Sequence, residues 1–277
     1  MAVVTDDALA SSPQEPDRFI IRLLFPMKNG FPKVPWLASS IAVGLVAILF
    51  GVYRWYQQNY SFTVGLDYFE PEFQTYWMNL FWFQMIVITA VGAIGVPWIW
   101  MTRPDEAEMT PERELGTYYL ILTLMAFGSF LIVVILGLFA EADAAWHQVT
   151  IRDTDFTPTH IGLFYFAIPV LTVFVALTFV WIHTRMPDFK NRVSLSFAIV
   201  ASAPILIMPN LGLNEWGHTF FYAEELFAAP IHYGFVVLGW GIFAISGFLL
   251  QCFNRIRILT LTLAEQEVVG ATESKAA

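Results

Sequence analysis

Charge is scarce in this chain. Of its 277 residues, 13% are Asp, Glu, Lys or Arg, and 57% are hydrophobic. A soluble domain carries roughly a quarter charged residues, so a water-facing globule is excluded, in line with a mean hydropathy of +0.60. Cysteine is scarcer still. The single Cys252 rules out an internal disulfide and any CxxC metal site. Basic residues number 14 against 23 acids; they form no patch, which argues against nucleic acid as a partner. No run of short segments alternates apolar with polar residues, as the strands of a membrane β-barrel must. The first apolar run begins late, after an acidic, Ser/Pro-containing tail, so no cleavable signal peptide is expected.

Long apolar stretches are what the chain has instead. A bilayer core about 30 Å thick takes roughly 20 helical residues to cross. Six stretches are long enough: 37–57, 75–101, 116–140, 160–183, 193–213 and 231–253. The stretch 193–213 is the weakest, because Pro204 and Pro209 interrupt it; neighbouring helices can satisfy the carbonyls a proline frees. The expected fold is an all-α, polytopic helical membrane protein of about six transmembrane helices plus an N-terminal interfacial helix. That helix is read from "DRFIIRLLFPMKN" (17–29), apolar with flanking charges. The organisation is then an N-terminal cytoplasmic segment (1–36), a six-span domain (37–253) and a C-terminal cytoplasmic tail (254–277), with the tails 1–16 and 264–277 loosely ordered. Tyr53, Trp55, Tyr56, Tyr60, Trp98 and Trp100 are expected in the aromatic belts at span ends. Phe127, Phe130 and Ile132 face lipid or the core.

Lysine and arginine placement sets the orientation. Twelve of them fall on one side: Arg18, Arg22, Lys28 and Lys33 before the first span, and Arg103 and Arg113 in the second loop. Arg185, Lys190 and Arg192 follow in the fourth, with Arg255, Arg257 and Lys275 after the last span. Only Arg54 and Arg152 fall on the other. Both termini are therefore expected in the cytoplasm, with the first, third and fifth loops outside.

Four of the five histidines, His147, His160, His218 and His232, fall on that outer side; His183 is expected to be an interfacial polar residue. In "EADAAWHQVTIRDTDFTPTHIG" (141–162), Asp143 and His147 stand four apart, on one face of a helix. Thr157 reads as an N-cap and Pro158 as the first helical residue. That places His160 in the first turn of the fourth span, pointing back at the end of the third. The fifth loop, "NEWGHTFFYAEELFAAPIHYGF" (214–235), repeats the spacing. Asn214 and His218 are four apart, and His232 follows in the same P-x-H-x-G frame as His160. The pattern reads as two related helical hairpins, each able to bring three ligands to one metal ion. Imidazole suits copper, zinc, iron and nickel. Polar groups at membrane depth are costly and are usually functional; the bland alternative is interfacial histidines satisfied by nearby acids. Glu224 and Glu225 orient ligating imidazoles, act as ligands themselves, or face solvent; the first is favoured. Glu141, Asp153 and Asp155 form a hydrated rim, with Arg152 pairing one of them.

"AWHQVTIRDTDFTPTHIGLFY" and "MPNLGLNEWGHTFFYAEELFAAPIHYGFVVLGW" together resemble the C-type subunit of the copper membrane monooxygenases, the family of particulate methane, ammonia and short-chain hydrocarbon monooxygenases. "GLDYFEPEFQTYWMNLF" extends the likeness over most of the chain. The resemblance implies a copper-dependent enzyme of the inner or intracytoplasmic membrane, built with subunits A and B as a trimer of heterotrimers amid lipid. It implies one copper position at Asp143, His147 and His160, and another at Asn214, His218 and His232, the latter taken as the catalytic set. The reaction it implies uses dioxygen to oxidise a small substrate: methane, ammonia or a short-chain alkane. Asn214 in place of a carboxylate lowers the charge of its site, which favours Cu(I) over hard dications. Two competing readings are a metal transporter and a structural anchor. A transporter would continue its ligands through the membrane interior, where the first, second and sixth spans have essentially no ionisable residue.

Overall fold

The computed structural model describes residues 16–28, 30–104, 109–149, 156–202 and 228–276. Within these, α1 (Pro16–Leu24) leads into a small antiparallel hairpin of β1 (Met27–Lys28) and β2 (Phe31–Pro32). The long helices follow: α2 (Trp36–Tyr60), α3 (Pro71–Met101), α4 (Pro111–Val149) and α5 (Pro158–Arg185). A short α6 (Pro187–Lys190), α7 (195–202) and α8 (Ala228–Ala276) complete them. Four helices, α2 to α5, are long and apolar enough to cross a membrane. The chain is an all-α, multi-pass membrane protein. Of the expected fifth span only 193–202 is described, helical from 195, and the expected sixth, 231–253, lies within α8.

The outward faces of the long helices are apolar. Trp55, Ile86, Ile94, Trp98, Phe130 and Val133 are all exposed, as lipid contact requires. Lipid is as apolar as leucine, so helices here associate through close packing rather than through exclusion of water. Gly92 and Gly95 of α3 show how: they let Val173 and Leu177 of α5 approach until an added Cβ at Gly95 would lie 2.8 Å from Leu177 Cδ2. Inside the bundle, Phe50, Tyr53, Ile135, Phe139 and Phe166 join α2, α4 and α5, with Tyr53 and Phe166 stacked at 4.1 Å. Tyr53 therefore belongs to the core and not to an aromatic belt. Its hydroxyl finds a polar partner inside the bundle, Gln84, so it has no need of the membrane surface.

Two further differences have clear causes. α4 is 39 residues long, about 58 Å at 1.5 Å per residue, far more than a bilayer core about 30 Å thick requires. The helix therefore runs well past the expected end of the third span and carries Asp143 and His147 beyond it. At the other end, 254–276, part of it expected to be loose, continues α8. Leu259 and Leu263 are buried there in a cluster with Leu115, Tyr118, Ile182 and Phe248. α1 stops at Leu24 ahead of Pro26, with Phe19, Ile20 and Ile21 exposed along its apolar side.

Candidate metal centre

The fourth span begins as its sequence predicts. Thr157 is extended (φ −96°, ψ 159°) and caps α5, its Oγ1 accepting from the His160 backbone N–H at 2.9 Å, and Pro158 occupies the first turn. A cap of this kind satisfies one of the amide donors that every helix start leaves open. Here it also fixes the direction of the His160 side chain, which is 1% exposed. The imidazole leans on Phe164, one turn further along, with ring centroids 4.9 Å apart.

His160 Nε2 faces Asp143 Oδ1 on α4 at 3.4 Å. Two ligands bound to a tetrahedral first-row ion at about 2.0–2.1 Å stand about 3.3–3.4 Å from each other, so the pair has the separation that a shared ion requires. His147 follows Asp143 by one helical turn in α4; its side chain lies outside the described residues. No group of three His, Cys, Asp or Glu that could hold a metal ion gathers among the described residues. An imidazole and a carboxylate, one on each of two packed helices, are a donor set that copper accepts.

The surrounding residues hold α4 in place. Trp146, 1% exposed, donates from Nε1 to the Ser61 carbonyl at 2.9 Å, which ties the end of α4 to the end of α2. Gln57 of α2 lies against Gly162, where an added Cβ would come within 2.7 Å of its Nε2 and 3.2 Å of the Phe139 ring. Behind the site, Gln84 of α3 donates from Nε2 to the Ile161 carbonyl at 2.9 Å and accepts from the Tyr53 hydroxyl at 2.9 Å. Gln84 is absent from the site residues expected on sequence. Its signal was there: one amide inside the apolar run "NLFWFQMIVIT", where an unsatisfied polar side chain would be expensive.

Asn214, His218, Glu224 and Glu225 lie outside the described residues. His232 falls in the first turns of α8, its side chain also outside them. His183, at the opposite end of the bundle, does more than sit at an interface. Its Nε2 accepts from the Ser194 backbone N–H at 3.1 Å, so Nδ1 carries the proton and donates to the Phe179 carbonyl at 2.8 Å. It joins the end of α5 to the start of α7.

A family model describing the C-type subunit of ammonia monooxygenase/methane monooxygenase matches residues 29–262. That span takes in Asp143, His147, His160, Asn214, His218 and His232, and every helix from α2 to α5. No curated protein matches the chain.

Proposed function

Since the chain belongs to the family of ammonia monooxygenase/methane monooxygenase C-type subunits, we propose that it supplies two copper sites to such a complex, which oxidises methane, ammonia or a short-chain alkane with dioxygen. Asp143, His147 and His160 hold one ion, and Asn214, His218 and His232 hold the other. Subunits A and B are its partners, in a trimer of heterotrimers within the lipid bilayer. Both termini face the cytoplasm and both copper sites lie toward the outer side. Copper, if bound, would supply the means of activating dioxygen; with two electrons and two protons from an external reductant, one oxygen atom would enter the substrate and the other would leave as water.

The observation that carries this reading is the buried approach of His160 Nε2 to Asp143 Oδ1 at 3.4 Å. It brings together two of the predicted ligands from different helices, at the spacing of ligands to one ion. The chain's own residues supply three things here: a carboxylate that offsets part of the ion's charge, an imidazole on a capped helix start, and an aromatic ring, Phe164, that leans on that imidazole. Only three protein ligands at each ion leave positions open for oxygen chemistry. Asn214, His218 and His232 form the uncharged set and are assigned the reaction itself; Glu224 and Glu225 orient its imidazoles.

The test uses the intact complex in membranes, with copper per complex and oxygen-dependent substrate consumption as readouts. His160→Ala removes one copper. Asn214→Ala, His218→Ala or His232→Ala abolishes oxidation in a complex that still assembles. Full copper content and turnover in all four variants would overturn the reading. A panel of methane, ammonia and C2–C4 alkanes then identifies the substrate.

A further inference from the structure

We propose that Gln84 is a positioning residue for the copper site at Asp143 and His160, acting from α3 on the backbone of α5; the inference rests on the reading of that site given above. Gln84 is 4% exposed and lies 77 residues from Ile161 in sequence. Both ends of its carboxamide are engaged. The Tyr53 hydroxyl donates to Oε1, which leaves the NH2 group facing the Ile161 carbonyl. The amide thus has one orientation.

Ile161 stands where it matters. Immediately beyond it α5 changes from α-helical to π-helical over Leu163–Ala167, and the Ile168 N–H bonds the Leu163 carbonyl five residues back. At such a junction the backbone ladder slips by one residue, and groups there take partners from outside the helix. Ile161 is also the neighbour of His160, so holding its carbonyl restrains the backbone next to the one that carries the imidazole. His160 is then fixed from both sides: Thr157 holds its N–H, and Gln84 holds the next carbonyl.

The same device recurs in α3. Its π-helical segment, Gln74–Met78, has the Tyr76 carbonyl accepting from the Tyr56 hydroxyl at 3.1 Å. Tyr53 and Tyr56 are neighbours on α2. α2 therefore bonds the π-helical segment of α3 directly and, through Gln84, reaches the α5 carbonyl two residues before the other π-helical segment.

The experiment uses the intact membrane complex in a His218→Ala background, so that copper in this chain reports the Asp143 site. Gln84→Met keeps the length and removes the donor; Tyr53→Phe removes only the outer bond. Thr178→Val, which deletes an exposed hydroxyl bonded within α5, is the control for a change in α5 that leaves the clamp alone. Gln84→Met is expected to weaken copper binding by about 10-fold or more, the usual effect of losing a residue that orients a ligand. It should also change the Cu(II) electron paramagnetic resonance spectrum and speed amide exchange over 160–168 in copper-free complex. Tyr53→Phe shifts all three the same way by less, and it decides the question if Gln84→Met fails to assemble. Parental affinity, spectrum and exchange in these variants would overturn the proposal, as would equal losses in Thr178→Val. His160→Ala in the same background separates the two claims. If it leaves copper unchanged, the copper reading itself fails and takes the positioning role with it. If it removes copper while Gln84→Met does not weaken binding, only the positioning role falls.

Discussion

Arg255 and Glu114, 141 residues apart in sequence, meet side by side: Nε with Oε1 and Nη2 with Oε2, each at 2.8 Å. Glu114 sits in the first turn of α4 and is 3% exposed, and Asp188 Oδ1 lies 3.8 Å from the same guanidinium. The hydrogen bonds to Glu114 hold the Arg255 pKa above its ordinary value, against the opposing effect of burial. Two parallel bonds of this kind fit the fork of a guanidinium and no other side chain. They fasten the C-terminal part of α8 to the bundle.

Arg255→Leu is accordingly expected to destabilise that docking by about 3 kcal/mol, the low end for a buried pair that loses one partner, since the arginine is itself partly exposed. Arg255→Lys, which keeps the charge and loses the fork, should cost about 1 kcal/mol. The double variant Arg255→Leu/Glu114→Leu should regain most of the loss, because no buried charge is then left alone. Thermal unfolding of the purified complex and amide exchange over 254–276 measure all three. A double variant as unstable as Arg255→Leu would show that the pair is not what holds the helix.

Gly65 offers a sharper test of the loop that joins α2 to α3. Its φ is +62°, and an added Cβ would lie 2.6 Å from the Phe73 backbone N and Cα, which cannot move aside. Gly65→Ala should therefore cost more than the roughly 1–2 kcal/mol of the left-handed conformation alone. It should also weaken the bond from Trp77 Nε1 to the neighbouring Val64 carbonyl, now 2.8 Å. Gly44, with nothing within 4 Å of its added Cβ, is the matched control. Gly44→Ala should be neutral or stabilise by up to about 1 kcal/mol. Limited proteolysis within 61–70 and melting temperature distinguish them; equal behaviour would refute the packing argument.

The proposed orientation can be tested chemically. With the native thiol of Cys252 buried, single cysteines placed elsewhere report sidedness. Lys275→Cys should resist a membrane-impermeant maleimide in intact cells, and Thr154→Cys should react. Labelling of position 275 from outside, in a normally inserted chain, contradicts cytoplasmic termini.

What could be read from the sequence was what local chemistry decides. Thr157 and Pro158 announce the start of α5 because capping involves only a few consecutive residues, and His160 then follows in the first turn. The four-residue step from Asp143 to His147 needs only a helix, which α4 supplies. What escaped depends on partners distant in the chain. Tyr53 resembles any tyrosine near a span end until Gln84, 31 residues on, accepts its hydroxyl. The docking of 254–263 is invisible until Glu114 pairs with Arg255, and the stretch 264–277, expected to be loose, continues as helix to Ala276. The π-helical turns of α3 and α5 leave no periodic trace, since a slip of one residue in the backbone ladder is too short to register in the hydrophobic pattern.

The two proposed copper sites should be separable. Asp143, His147 and His160 straddle α4 and α5, while His232 lies in α8 and Asn214 and His218 precede it in sequence, so the proposed reading gives each triplet its own hairpin. α8 docks on α4 through its later part, around Arg255, Leu259 and Leu115, far along the helix from His232. On the proposed reading, the loss of a ligand from one set leaves the three residues of the other in place. His218→Ala should remove one copper from this chain and leave the spectrum of the Asp143 site unchanged; His147→Ala should do the reverse. The readouts are copper per complex and Cu(II) electron paramagnetic resonance on membranes, with assembly checked by the yield of intact complex. If either variant empties both sites while the complex remains assembled, the ions share ligands or a bridging group. The six residues would then be one centre instead of two.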